Sequence, residues 1–554
     1  MYQMSTQTAL LLLLCFYGLT FLISLTLARK EENVDGYMVS NNSIGFGMAA
    51  ASMTATWIWA ASFYAAATSG YKYGLSGALH YGFWGALMIF FIYPFGKRFR
   101  QIAPKAHTLA EIMHARHGSS SQMIMAGSNL VGSLISLTVN FTAAGALLEI
   151  LSPLSFIHGV IIAGLGVLSY TIWSGFRSSV TTDFGQVIAM IFAAVIIIPI
   201  IFFQLGGSAL FESGMSLLTA EQSSFYSQTA ILEQGAPYFV AVLAYAIGNQ
   251  TIAQRLFAVR EDLLKPTFVT ATLGYGSIVI GLGMLGFLAL LAGITPQDGN
   301  YNNLIPQMAA TYLSPFLVGL FFIMVIGSLS STADSDLSAL SALVMTDIYG
   351  KHLSRGKVKP KTMLFIGRLT MVSATFLAML LACLKFDILT MLVFVGALWG
   401  AIVFPVIASL YWNRVSNLAF TSAAIIGFGM FIITRFEVVE LHGLAALFFE
   451  WVASAGGGVV IGLMAFGFFG FKVACILGGI AFISITPFAL DALRHYPVLL
   501  SSMTAYGAST LTCVILSLRS KEHFDFTSIG KDVVSFNDSK TQTQEIEGVP
   551  QCQA

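Results

Sequence analysis

Apolar stretches about as long as a bilayer is thick recur along the whole chain, and they constrain its fold more than any other feature. Residues 8–28 and 186–205, for example, each offer about 20 apolar residues, enough for a helix to cross ~30 Å of hydrocarbon. Only 10% of the 554 residues are charged, whereas soluble proteins carry about 25%. The chain is therefore predicted to be an all-α polytopic membrane protein.

The hydrophobic pattern predicts about fifteen transmembrane helices separated by polar loops. After the last of them, residues 519–554 form a polar tail without apolar periodicity, and we expect this tail to be disordered in the cytoplasm. The predicted spans lie near residues 8–28, 44–69, 75–95, 122–150, 156–173, 184–205, 236–258, 266–292, 312–346, 362–384, 388–412, 418–434, 451–471, 473–490 and 497–517.

The distribution of Lys and Arg supports this count and orients it. If the N-terminus lies outside, most basic residues fall in cytoplasmic loops, while the loops 206–236 and 293–312 contain neither Lys nor Arg. We therefore expect a plasma (cell inner) membrane protein with a cytoplasmic C-terminus. The residues assigned inside include Lys97, Arg98, Arg100, Lys105, Arg116, Arg177, Arg255, Arg260, Lys265, Lys351 and Arg414, and those assigned outside are Lys72, Lys385, Arg435 and Arg494.

One predicted span carries an unusual density of hydroxyls and carboxylates, at residues 327–341 (GSLSSTADSDLSALS). Four of the hydroxyls recur at helical spacing and share one face. Such a stripe, joined by free backbone carbonyls, is able to replace the hydration shell of Na⁺; the alternative is a packing seam of small residues. The stripe consists of Ser328, Ser331, Thr332 and Ser335.

Two carboxylates, Asp334 and Asp336, lie inside the same span. A carboxylate inside the membrane costs roughly 3 kcal/mol or more unless it faces a cavity or a partner. Since they are two residues apart, they point in different directions on a helix. They are expected to bind a cation, carry a coupling proton or contact a polar solute, the alternative being hydration near the interface.

Two other spans carry signs of a break in mid-membrane. Small residues and a Thr-Trp pair in residues 49–64 favour a locally unwound helix whose carbonyls hold an ion, the alternative being close packing through alanines. The run YAIGNQT at residues 245–251 places a glycine and two amides at membrane depth. These amides suit neutral hydrogen-bonding solutes, although bonds between helices explain them equally well.

The ordered motifs resemble the sodium:solute symporter family over roughly residues 10–420. They are SGFRSSVTTDFGQ at 174–186, NQTIAQR at 249–255, and the hydroxyl stripe that ends in MTDIY at 345–349. Within the family, ATWIWAA at 55–61, YGLSG at 73–77 and HTLAEIMHARHG at 107–118 are similar to the urea/polyamine branch.

The resemblance implies an inverted five-helix repeat core of the amino-acid/sodium-symporter type, working by alternating access. The repeats would span residues 44–205 and 236–412. Segment 1–43 would then hold an extra helix, 206–235 an extracellular loop, and 413–518 accessory helices.

The resemblance also implies a Na⁺ site and adds a third carboxylate, Asp183, as a proton or cation carrier. The Na⁺ ligands would be the carbonyls of Ala55 and Ile58, the hydroxyls of Ser331 and Thr332, and Ser328. Solute contacts are predicted at Trp57, Trp59, Tyr64, Tyr245, Asn249, Gln250 and Trp399.

The function that these features favour is secondary active symport of a small polar solute, urea-like, driven by Na⁺. Coupling to H⁺ with urea or a polyamine as cargo is one alternative, and a membrane sensor that kept the transporter fold is another. A passive channel needs no ion stripe, and the absence of a P-loop disfavours an ATP-driven pump. Neither enzymatic activity nor a cofactor is expected, and the net charge of +1 implies no attraction to nucleic acid.

Overall fold

The apolar stretches form helices in the computed structural model, which describes residues 2–27, 33–354, 358–386, 388–439, 442–490 and 492–536. Within these residues the backbone is helical, apart from loops and a single bridge between Ile44 and Val259. The helices of the first half are α1 (Thr6–Leu27), α2 (Val34–Val39), α3 (Phe46–Trp57), α4 (Ala60–Phe90), α5 (Ile92–Ile102), α6 (Leu109–His117), α7 (Ser119–Leu151), α8 (Phe156–Ser174), α9 (Phe176–Gln204) and α10 (Ala209–Gly214).

The second half continues in the same way, and two of its helical segments have π-type hydrogen bonding, Ile231–Gly235 and Val344–Leu353. Its α-helices are α11 (Gln228–Ala230), α12 (Ala236–Gly248), α13 (Gln250–Ala258), α14 (Leu264–Leu291), α15 (Leu304–Tyr312), α16 (Pro315–Leu343), α17 (Pro360–Ala382), α18 (Ile388–Tyr411), α19 (Asn417–Arg435), α20 (Gly443–Phe469), α21 (Phe471–Ala489), α22 (Pro497–Arg519) and α23 (Ile529–Asp532).

Among the described residues, fourteen helices are long and apolar enough to cross a membrane. The sequence predicts about fifteen, and the difference lies at the glycine Gly74 inside α4. There φ is +66° and ψ is −144°, and the hydroxyl of Ser69 donates to the carbonyl of Gly77 at 2.7 Å. Residues eight apart lie about 12 Å apart along a straight helix, so the chain turns sharply at Gly74. The predicted second and third spans meet at this turn.

Both predicted breaks are present. Helix α3 ends at Trp57 and α4 begins at Ala60, with Ile58 at φ −81° and ψ 70°. Helix α12 ends at Gly248, and Asn249 leaves the helix before capping α13 with its side chain. The first helix of each predicted repeat is therefore interrupted, which frees backbone carbonyls and N–H groups in the middle of the bundle.

Helix α16, which holds the hydroxyl stripe, lies inside the bundle. It packs against α3, α7, α8, α9 and α17, and its C-terminal two-thirds is buried on every side. Polar side chains are tolerated at membrane depth when protein covers them in this way. Helices α19, α20, α21 and α22 pack on one another and reach the core through α18.

The beginning of the polar tail is packed rather than unstructured, which corrects our expectation for residues 520–536. Ile529 and Val533 are buried, and Phe524 lies 4.1 Å from the guanidinium of Arg116. Five apolar side chains hold this segment on the protein: Phe524, Phe526, Ile529, Val533 and Phe536. The last four are three or four residues apart, a short helical pattern that our prediction for the tail overlooked. The rest of the predicted disordered segment, 537–554, lies outside the described residues.

Replacing Ile529 with Asp is expected to detach this packed segment, because a carboxylate would be buried without a partner. Limited chymotryptic digestion of the purified protein should then cleave readily at Phe524 or Phe526, with the transmembrane helices intact. Val534→Asp is the matched control, since Val534 is 48% exposed and its digestion pattern should stay that of the native protein. Equal protection in both variants would contradict the packing described here.

Candidate functional site

The break after α3 lies directly against the hydroxyl stripe of α16. The Ser328 hydroxyl donates to the carbonyl of Ile58, and the Thr332 hydroxyl donates to the carbonyl of Thr56 at 2.7 Å. Ala55 is buried in the last turn of α3. Hydroxyl and loosened carbonyl oxygens from two helices thus meet at one point, which is the type of oxygen set that coordinates Na⁺ in transporters with broken helices.

Ser331, the fifth residue expected at the Na⁺ site, turns toward a buried carboxylate instead. Its hydroxyl donates to Oδ1 of Asp183, while Oδ2 of Asp183 accepts from Ser52 at 2.5 Å. The same Oδ2 lies 3.0 Å from the guanidinium of Arg255. Asp183 is therefore a fully bonded anion next to the stripe.

Arg255 is the main functional residue that the sequence analysis misplaced. Its expected position was a cytoplasmic loop, but it is only 2% exposed. The guanidinium donates to the hydroxyls of Thr56 at 2.6 Å and Ser335 at 2.7 Å. The available signal was a positive charge six residues after the break at Asn249, still inside a predicted span, and charge counting alone assigned it to the loop.

Asp334 is also fully bonded. Its Oδ2 accepts from Tyr170 at 2.6 Å, and its Oδ1 accepts from Ser179 at 2.5 Å. The hydroxyl of Thr182 is a further, longer donor at 3.4 Å. Tyr170 and Ser179 were not singled out from the sequence, and they hold Asp334 on the side of α16 that faces α8 and α9.

Asp336 differs from the other two carboxylates. It is 1% exposed, and within the described part of the chain its Oδ2 has no hydrogen-bond partner. Ser133 and Ser136 of α7 hydrogen-bond the same carboxyl group. Asp336 also lines a small inner cavity, so a buried carboxyl group without a full set of partners lies at the edge of this space.

Two cavities follow each other along the bundle. The outer cavity has a volume of about 320 Å³ and opens among residues of the loops predicted to be extracellular, such as Glu233 and Tyr301. The inner cavity has a volume of about 20 Å³, room for a single water molecule. Trp57, Trp59 and Tyr245 line both cavities, so these aromatic side chains separate them.

Of the predicted solute contacts, Asn249 and Trp399 line the inner cavity as well. Tyr64 and Gln250 line neither cavity. The hydroxyl of Tyr64 donates to the carbonyl of Ala143 at 3.3 Å, and the amide of Gln250 donates to the carbonyl of His107 at 3.0 Å. Both side chains therefore bond neighbouring backbone rather than face the cavities.

Two glycines leave the space that the indole ring of Trp399 occupies. A Cβ atom on Gly248 would lie 2.3 Å from Cγ of Trp399, and one on Gly132 would lie 2.3 Å from its Cζ2. Tyr245 packs edge-on against Trp399 at 5.1 Å and against Trp57 at 6.0 Å. Glycine at the second break thus lets an indole ring form the wall of the inner cavity.

At the end of the bundle beyond α13, a histidine bridges two carboxylates. Nε2 of His107 lies 2.9 Å from Asp35, and Nδ1 lies 3.1 Å from Glu111. Burial opposes a charge on this imidazole, but the bonds to both carboxylates outweigh burial and raise the pKa of His107 to about 9. The ring is therefore a buried cation that ties α2 to α6.

The His107 cluster makes stability depend on pH. Because the pKa is raised above the ordinary 6.5, the stabilising effect is complete below pH 6.5 and disappears as the pH rises through about 9. We expect a loss of about 3 kcal/mol, measured as a lower midpoint of thermal unfolding at pH 9.5 than at pH 6.5. His107→Gln should flatten this profile, whereas replacing the exposed His523 with Gln should leave it as it is; a flat native profile would contradict the bridge.

The fold is that of a membrane transporter with two interrupted helices in its core. The family model of the sodium:solute symporter family matches residues 37–427, and the chain belongs to this family. The core is accordingly the inverted five-helix repeat of the amino-acid/sodium-symporter type, and the protein is a transporter rather than an enzyme.

Several curated relatives align along most of the chain. The sodium/pantothenate symporter of Escherichia coli is 27% identical over 75% of this chain and 88% of its own length. Probable urea active transporter 1 of Schizosaccharomyces pombe is 21% identical, covering 81% of this chain and 73% of its own length. Similarity extends to the high-affinity proline transporter of Bacillus subtilis, with 24% identity over 72% of this chain and 86% of that protein.

A solved structure shows the same fold. It is the substrate-bound, outward-open state of a Na⁺-coupled sialic acid symporter. The alignment covers 86% of this chain and 98% of the symporter chain, and its TM-score is 0.66. Sequence identity in this alignment is 16%, so the likeness concerns the arrangement of helices.

Proposed function

We propose that this chain couples the uptake of a small polar solute, urea-like in its chemistry, to a Na⁺ gradient by alternating access. The observation that carries the proposal is the meeting of α16 with the break after α3, where Ser328 and Thr332 contact the carbonyls of Ile58 and Thr56. Na⁺ would bind among the oxygens of Ala55, Ile58, Ser328, Ser331 and Thr332, and the hydroxyl of Ser331 would then turn from Asp183 to the ion. The protein would lie in the plasma membrane with its C-terminus in the cytoplasm.

Ion and solute would be coupled through shared side chains. Thr332 and Thr56 belong to the ion-binding oxygens and also line the inner cavity. A cation that joins α16 to the broken helix would stabilise the arrangement in which the inner cavity can receive a solute. Coupling requires such a difference in affinity between two states, because a ligand shifts an equilibrium only by its differential binding.

The outer cavity supplies the path for the solute. Because it opens toward the loops without basic residues, it would face the cell exterior. The inner cavity is too small for a solute while Trp57, Trp59 and Tyr245 separate it from the outer one. These side chains would therefore move apart when the solute enters and close behind it, which excludes a continuous aqueous pore.

A urea-like cargo is favoured by the neutral hydrogen-bonding groups around the inner cavity and by the resemblance of residues 55–61, 73–77 and 107–118 to the urea/polyamine branch. Similarity to a probable urea active transporter adds to this. Coupling to H⁺ is the second candidate, since Asp183, Asp334 and Asp336 are all buried within one region.

The deciding experiment is uptake of labelled urea into proteoliposomes that contain the purified protein. An inward Na⁺ gradient, an inward H⁺ gradient and no gradient are imposed separately. We expect accumulation above the external concentration with the Na⁺ gradient alone. Accumulation that follows only the H⁺ gradient would select the second candidate, and mere equilibration under all three conditions would rule out symport.

A further inference from the structure

The three buried carboxylates near α16 differ in how many of their oxygens are bonded. Asp183 is bonded by Ser331, Ser52 and Arg255, and Asp334 is bonded at both oxygens. Among the described residues, Oδ2 of Asp336 has no hydrogen-bond partner. A buried carboxyl oxygen without a partner is unfavourable, so a hydrogen-bond donor that enters beside Asp336 would be stabilised by it.

The position of Asp336 shows where that donor would come from. Asp336 lines the inner cavity together with Trp57, Trp59, Tyr245 and Trp399. It lies one helical turn beyond Thr332, on the same side of α16. The carboxyl group therefore lies at the proposed solute position, one turn from Thr332, which lines the same cavity and contacts the proposed ion site.

The charged groups nearby do not neutralise Asp336 by direct contact. Arg255, the buried cation of this region, is bonded to Asp183, Thr56 and Ser335. The described residues form no salt bridge to Asp336. The inner cavity thus offers a carboxyl acceptor framed by aromatic rings, and such rings also attract positively polarised groups.

We infer that Asp336 selects the solute: its Oδ2 accepts a hydrogen bond from an N–H group, so the site takes solutes with amide, ureido or guanidinium nitrogens and rejects carboxylates of the same size. This inference rests on the proposed function of the same cavity and narrows its substrate class. A solute carboxylate has no hydrogen to donate to this oxygen, and whenever Asp336 is ionised the two anions would also repel each other strongly in a water-poor site.

The matched probes are acetamide and acetate, which have nearly the same shape. Acetamide carries an NH2 donor at the position where acetate carries a charged oxygen. Guanidinium and urea extend the series toward more N–H groups. Binding to the purified protein in Na⁺ is measured by competition with labelled urea, and uptake is measured separately in proteoliposomes. The binding measurement does not depend on which ion drives transport.

For the native protein we expect acetamide and guanidinium to compete with urea, and acetate to be weaker than acetamide by about tenfold or more. Asp336→Asn keeps the shape of the side chain but replaces one acceptor oxygen with an NH2 donor. This variant should raise the half-saturating urea concentration about tenfold and bring acetate close to acetamide. Asp262→Asn is the control, because Asp262 is exposed on the surface beside Arg260 and its binding should match that of the native protein.

The outcomes separate the two proposals. Loss of Na⁺-driven uptake with the binding preferences intact would overturn the proposed coupling alone. Acetate binding as well as acetamide in the native protein would overturn the role of Asp336, and so would failure of all the N–H probes to bind. If Asp336→Asn bound urea as the native protein does and only lost the pH dependence of its uptake, Asp336 would be assigned to proton transfer. This result would also overturn the inference. A thermal unfolding midpoint near the native value confirms that the variant is folded.

Discussion

Replacing Arg255 with Met should be among the most destabilising single changes in this protein, costing about 3–5 kcal/mol because it leaves the carboxylate of Asp183 buried without its cation. The guanidinium is 2% exposed and the carboxylate fully buried. Thr56 and Ser335 would lose the same donor. The expected result is a large fall in the yield of monodisperse protein and in the midpoint of thermal unfolding in detergent.

Two further variants distinguish the effect of leaving a buried charge unpaired from the effect of losing a bulky side chain. Asp183→Asn combined with Arg255→Met removes both charges, and it should recover much of the lost stability because no unpaired charge remains. Arg260→Met breaks an exposed pair with Asp262, whose side chains are 56% and 60% exposed, and should cost at most about 1 kcal/mol. If Arg255→Met behaved like Arg260→Met, the buried pair would not hold the core together.

Thr332→Val is expected to raise the Na⁺ concentration for half-maximal uptake by about 10- to 100-fold. The substitution conserves volume but removes an oxygen, and a hydrogen bond or contact to a charged group contributes about 1.5–3 kcal/mol. The half-saturating solute concentration at saturating Na⁺ should change much less. The measurement is initial uptake into proteoliposomes across a series of Na⁺ concentrations.

The matched control for this variant is Thr375→Val in α17. Thr375 is buried, and its hydroxyl donates to the carbonyl of Met371 in its own helix at 2.8 Å. The chemical change is the same, but the residue lies away from the broken helix, so its Na⁺ dependence should stay native. An unaltered Na⁺ dependence in folded Thr332→Val would place the coupling ion elsewhere.

Local features of the sequence were sufficient to predict the helical membrane architecture. Hydropathy and the spacing of basic residues predicted the membrane helices, since crossing hydrocarbon is a property of each segment by itself. Helical periodicity put Ser328, Ser331 and Thr332 on one stripe, and small or amide residues predicted both breaks. The sequence also marked the boundary between the second and third predicted spans, where the chain turns sharply at Gly74 within one continuous helical segment.

The long-range pairing could not be predicted in the same way. Arg255 follows Asp183 by 72 positions, and Asp334 bonds Ser179 from 155 positions away. No periodicity within a segment encodes such a contact, because it depends on how separate helices pack. The same reason applies to Ile529 and Val533, whose burial depends on the surface they cover.

By itself, the sequence determined that this protein crosses the membrane many times, with two interrupted helices and a hydroxyl stripe, because those properties follow from hydrophobicity and helical spacing. Only the tertiary structure decided that Asp334 is fully bonded while Asp336, two residues later, lines the inner cavity. Residues two apart on a helix point in nearly opposite directions, about 200° around the axis. What each carboxylate meets there is set by the neighbouring helices, α8 and α9 on one side and the broken helices on the other.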